Sequence, residues 1–182
     1  MANTKRMIHD AYGLYHLRRE GSGGDPVSGR IHGMAKAVWA GKIMAAVENQ
    51  KAPLPDLLLL CYAPDAVPTV ENLERLRVAL VGHILAREEI KQHRTIVKLR
   101  ALAEVAVISF RHEMRGFGPL RPAGICLMAG IDIGNWTRGD RPWPRWWHEM
   151  GRQMARWHRQ AMGQPDRICG EIEKQGAAAD SC

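Results

Sequence analysis

Apolar residues recur at intervals of three and four along most of the chain, and no convincing period-two alternation is present. Residues 4–19 predict a helix with Ile8, Tyr12, Tyr15 and Leu17 on part of one face. Residues 31–47 predict a second, with Ile31, Met34, Ala35, Val38 and Ala45 near helical spacing and Trp39, Ile43 and Ala46 alongside. The apolar segment Leu57 to Tyr62, opened by Pro53 and Pro55 and closed by Pro64 and Pro68, has a length that fits a strand or a buried helix. No second strand-like segment exists to pair with it, so helix is the better assignment. Thr69, three residues before Asn72 and followed by Glu71 and Glu74, reads as an N-cap, and Leu73, Leu76, Leu80 and Ile84 line the helix behind it to about Leu85. The longest stripe is Ile96, Leu99, Ala103, Ala106, Phe110 and Met114, opposite Lys98, Arg100, Glu104 and Arg111, and it should be the backbone of the core. The predicted fold is all-α.

After that stripe the breakers Gly116, Gly118 and Pro119 open a different pattern. A short helical run from Pro122 to Met128 meets a tight turn at Ala129, Gly130 and Ile131, and a second short run extends from Asp132 to Arg138. Short helix, glycine-centred turn, short helix is the sequence form of a helix-turn-helix. Cys126 is the small residue where the second helix would cross the first, and Gly130 takes left-handed angles at no steric cost. Ile125, Ala129, Ile131 and Trp136 are the expected anchors, and Asp132 the expected cap. Ile133, Asn135, Thr137 and Arg138 then point outward with Arg141 just beyond, offering an arginine fork for guanine, an amide for adenine and methyl surface for thymine. Gly134, Gly139 and Pro142 shorten or weaken the second helix. A tryptophan-rich helix from Pro144 to Met162 follows, with Trp146, Met150, Met154, Trp157 and Ala161 as its inner stripe and Arg145, Arg152, Arg156 and Arg159 largely on other faces. Helical spacing assigns these tryptophans to the core rather than to stacking on unpaired bases.

Charge sharpens this picture. The 182 residues carry a formal net charge of +7, and residues 87–168 hold 15 Lys+Arg against 8 Asp+Glu while the remainder balances 11 against 11. The positive field thus belongs to the half with the candidate motif, as a polyanion partner requires. The expected organisation is an N-terminal helical segment and Gly-rich linker over 1–26, a helical body over 27–93, the helix-turn-helix region with its flanking helices over 94–163, and a flexible tail over 164–182.

Other chemistry fails on spacing. The Gly21 to Pro26 run has no strand before it, and Gly41-Lys42 lies too far from Gly33 and is followed by Ile43 instead of a hydroxyl, so neither is a phosphate loop. His112 and Glu113 look like a catalytic pair but fall on the last turn of an amphipathic helix, where such residues face solvent. His148 and His158 do not share a helical face. Cys61, Cys126, Cys169 and Cys182 form no CxxC, which predicts reduced thiols and no zinc. The longest apolar run, Leu57 to Ala63, has 7 residues, too few for a bilayer. No signal peptide is expected at the N-terminus, and the expectation is a non-enzymatic, cofactor-free, cytoplasmic and nucleoid-associated protein.

The string Gly130-Ile131-Asp132-Ile133-Gly134-Asn135-Trp136, followed by Arg138 and the Trp146-Trp147 pair, resembles the C-terminal motif of phage Q-type late-gene antiterminators, in particular the zinc-free, AlpA-like branch. Matching features cover about residues 96–160, and Asp132 stands where the family often has serine. The resemblance implies a factor that binds duplex DNA beside a promoter, engages sigma-retaining paused RNA polymerase, and sits at the RNA exit channel to suppress terminators. Ile133, Asn135, Thr137 and Arg138 would contact DNA, Arg141 a phosphate, and nascent RNA is a further candidate partner. A simple helix-turn-helix regulator, a small DNA-packaging subunit of a phage and a helical scaffold that binds only protein remain as alternatives.

Overall fold

A computed structural model describes residues 2–19 and 29–179, and these are helical with short connections and no strand. They fold as two compact units. The first comprises Met1–Pro68 and Arg159–Cys182, and the second Thr69–His158, so the expected boundary at 93/94 falls within the second unit. The Gly21 to Pro26 linker lies outside the described residues.

The first unit holds α1 (Ala2–Arg19), α2 (Gly29–Glu48), α3 (Leu54–Tyr62) and the later part of α8 (Trp143–Ala179). On α1 the inward face is Thr4, Ile8, Ala11 and Tyr12, while Tyr15 is 56% exposed. Tyr12 donates from its hydroxyl to Glu48 Oε1 at 3.0 Å. On α2 the buried positions are Ala40, Ile43, Ala46 and Val47. Val38 and Ala45, expected on the inner face, are not among them: both are exposed. Ile43 and Val47, one turn apart, set the stripe, and Val38 lies about 140° round the helix from Ile43. The side chains of Leu17, Ile31, Met34 and Ala35 lie outside the described residues. α3 is helical as expected and nearly all its side chains are buried, Leu57 and Leu58 completely.

α8 departs from expectation. Instead of fraying after Gly163 it continues to Ala179, with Met162, Cys169 and Ile172 buried. Its internal Pro165 has no N–H to give to the carbonyl four residues earlier, that of Ala161. Gln50 fills that role: its side-chain amide donates to the Ala161 carbonyl at 2.9 Å and to the Ala46 carbonyl at 2.8 Å. A glutamine just past the end of α2 therefore supplies the bond that proline removes from α8.

The second unit holds α4 (Val70–Leu85), α5 (His93–Met114), α6 (Pro122–Ala129), α7 (Ile133–Thr137) and the first part of α8. Thr69 caps α4 in a reciprocal box with Asn72. Leu76, Leu80 and Ile84 then face inward. α5 packs on α4 and α6 and buries Leu99, Leu102, Ala103, Val105, Ala106, Val107 and Phe110, more than the single stripe foreseen, because it has neighbours on more than one side. It ends in a Schellman motif: Phe117 N–H reaches the His112 carbonyl at 3.0 Å, with Gly116 at φ +88°. The Phe117 ring then stacks on His112 at 4.8 Å. His112 and Glu113 are exposed, as expected for that last turn. Thr69–His158 contains 15 Lys+Arg and 9 Asp+Glu, so this unit carries most of the molecule's net charge.

Candidate nucleic-acid interface

The α6–α7 pair is built from local signals that can be followed residue by residue. Pro122 sits in the first turn of α6, where its missing N–H costs nothing. Ile125, Cys126 and Ala129 turn inward and are 2–3% exposed. Gly130, at φ +62°, ends the helix in a Schellman arrangement in which Ile131 N–H donates to the Cys126 carbonyl at 2.9 Å. Ile131 is then buried, and Asp132 Oδ1 accepts from Asn135 N–H at 3.1 Å to cap α7. A Cβ at Gly134 would lie 3.0 Å from that same oxygen, so the glycine leaves room for the cap. Burial, and secondarily the Asp132 carboxylate, push the Cys126 thiol above its usual range, which favours the neutral thiol packed in this turn.

α7 has only five residues. Trp136 is its anchor, 9% exposed and edge-on to Trp147 of α8 with ring centroids 6.3 Å apart. Trp143 and Trp146 meet edge-on at 5.2 Å and are buried, Trp146 in keeping with its expected place in the core, while Trp147 and Trp157 are half-buried. His158 is buried edge-on to Phe110 at 6.0 Å.

Of the five candidate contact residues, Ile133, Thr137, Arg138 and Arg141 are exposed and Asn135 is half-buried. Thr137 turns its hydroxyl back to the Ile133 and Gly134 carbonyls, at 3.4 and 3.1 Å, and so presents mainly its methyl group. Arg138 leaves α7 in an extended conformation, and Arg141 lies 3.8 Å from Asp140 in a solvent-exposed pair. Leu127 and Met128, 85% and 49% exposed, add apolar surface on α6.

A second charged feature, not foreseen from the sequence, centres on Glu149. Its side chain is 14% exposed, with His83 Nε2 at 2.9 Å, Arg152 Nη2 at 2.6 Å, Arg156 Nη2 at 3.4 Å, and Arg87 also bonded. The His83 hydrogen bond first, and then that from Arg152, hold the carboxyl at about 2. Arg145 pairs beside it with Glu88 at 2.7 Å. The signal was legible as the 145, 149, 152, 156 spacing on α8, but the partners from α4 and the turn after it needed the fold.

No group of three or more His, Cys, Asp or Glu is placed to hold a metal among the described residues. No helix among them is long and apolar enough to cross a membrane. Cys61, Cys126 and Cys169 are buried and in no disulfide among the described residues, and Cys182 lies outside them. No known protein family, curated protein or solved structure matches this chain.

Proposed function

We propose that this protein is a DNA-binding transcription factor of the antiterminator type, with α6 and α7 as its helix-turn-helix. The observation that carries the reading is the exposure of Ile133, Thr137, Arg138 and Arg141 together on and just beyond a capped, tryptophan-anchored helix in a strongly basic unit. Arg138 supplies a guanidinium for a base edge, Thr137 and Ile133 apolar surface for a thymine methyl, and Arg141 a phosphate contact. A five-residue helix reads little sequence by itself, which fits a factor delivered to DNA by a partner already seated there. The resemblance to Q-type antiterminators names that partner as sigma-containing RNA polymerase, with action at the RNA exit channel against terminators. On this reading the protein is not an enzyme and works in the cytoplasm at the nucleoid.

Two measurements test it. Arg138→Ala should weaken specific duplex binding by about 1–3 kcal/mol with the helical signal in circular dichroism intact. In a transcription assay across an intrinsic terminator, the protein should raise readthrough, and unchanged readthrough with DNA binding intact would reduce it to a simple regulator.

The exposed Leu127, Met128 and Ile133 favour a second reading, in which the α6–α7 surface docks protein alone. That reading predicts no change in nucleic-acid affinity for Arg138→Ala.

A further inference from the structure

The Glu149 cluster can be placed relative to α7 from helical geometry alone. At about 100° per residue, Arg145, Glu149, Arg152 and Arg156 fall within about 60° of one another on α8. They lie about 140–200° round that helix from Trp147, the residue that meets Trp136 of α7. The arginines therefore occupy the side of α8 turned away from the candidate reading helix.

Three properties make this ridge more than a solvated helix face. First, its charge is unbalanced: Arg87, Arg145, Arg152 and Arg156 share two carboxylates, Glu149 and Glu88. Second, the guanidiniums are ordered yet accessible, their side chains 45–66% exposed while the Glu149 that gathers them is 14% exposed. Each has five N–H donors and spends few of them on these partners. Third, the surface lacks a large apolar anchor: the neighbouring exposed and half-buried positions on α8 are His148, Gln153 and the small Ala155, whereas a protein interface is usually centred on buried aromatic or large aliphatic groups. From Arg145 to Arg156 the ridge rises about 16 Å, roughly five nucleotide steps of one strand.

We propose that the arginine ridge gathered by Glu149 is a second, sequence-independent nucleic-acid surface that binds the phosphodiester backbone, on the side of α8 away from α7. The chemistry is shared by duplex DNA and RNA. The assignment stands on the ridge itself and does not require α7 to read bases; it shares with the function proposed above only the class of partner.

The test is an anisotropy titration of the full chain, over a range of salt, against a random-sequence DNA duplex and against a single-stranded RNA. The double variant Arg152→Ala/Arg156→Ala should lose about tenfold in affinity and flatten the log–log salt slope by about 1.8 on duplex or about 1.4 on the single strand. Loss on one probe identifies that nucleic acid as the ligand, and loss on both identifies the backbone common to them. Arg152→Lys/Arg156→Lys should keep the slope. Arg145→Ala, which leaves the Glu149 bonds untouched, should flatten it by about 0.7–0.9 and serves where the double variant fails to fold. Unchanged affinity and slope on both probes in these alanine variants would overturn the proposal. So would displacement of both nucleic acids by poly-glutamate at equal charge, since the ridge would then be a site for acidic protein. If Arg138→Ala is silent while the ridge variants lose binding, the α7 reading fails and the ridge stands; the reverse result separates them the other way.

Discussion

Gly130 is the position where α6 can stop and α7 can begin, because its φ of +62° is left-handed and nothing lies within 4 Å of where a Cβ would stand. Gly130→Ala should therefore cost about 1–2 kcal/mol from backbone conformation alone, read as a lower midpoint in urea at unchanged slope. The turn glycine and the Asp132 cap were legible in the sequence since both depend on neighbours within a few residues. Gly134 was not: alone it reads as a weakness in a helix, and only the 3.0 Å approach to Asp132 Oδ1 explains it. Glu149 carries the clearest pH dependence. Its folded value lies at about 2 against an ordinary 4.5, so its stabilisation is fully present above the ordinary value and is lost as pH falls through that interval toward 2. Glu149→Gln should remove this part of the acid transition, lower stability at neutral pH by about 1–3 kcal/mol, and tighten non-specific nucleic-acid binding by unmasking positive charge. Thermal melts from neutral to acid pH would read the first two effects side by side.

Among the elements, helix existence was legible wherever a capping residue or a long stripe announced it, as at Thr69 and over Ile96–Met114. Inner faces were less so. Val38 and Ala45 on α2 are as apolar as their buried neighbours, and the packing of α1 and α3 decides which stripe turns inward. The sequence pattern cuts α8 short because glycines and Pro165 break an isolated helix; tertiary contacts override that when the orphaned carbonyl finds another donor. Gln50 is that donor, which gives a double-mutant test. Gln50→Ala should destabilise by about 1–3 kcal/mol by leaving the Ala161 carbonyl unpaired. In a Pro165→Ala background, where the helix can make its own bond, the same substitution should cost clearly less. Equal costs in both backgrounds would show that Gln50 acts in some other way. The candidate site divides along the same line: α6 and α7 follow from local sequence, whereas the spacing along α8 shows only part of the Glu149 cluster, whose other partners lie about 60 positions away in sequence.

At the scale of the molecule, Ile172, 4% exposed in the stretch expected to fray, belongs to the core of the first unit. Ile172→Ala should cost about 2–5 kcal/mol, and hydrogen exchange should show that loss in α1–α3 with less effect on α5. The same partition has a temporal side. Thr69–His158 is one continuous stretch of chain, whereas the other unit is assembled from the segment before it and the segment after it. During synthesis the basic unit can complete its fold as soon as His158 has emerged, while α1–α3 must wait for Ala161, Met162, Cys169 and Ile172 to close their core. The part proposed to meet nucleic acid is thus ready first, and the earliest-made helices are the last to be sealed.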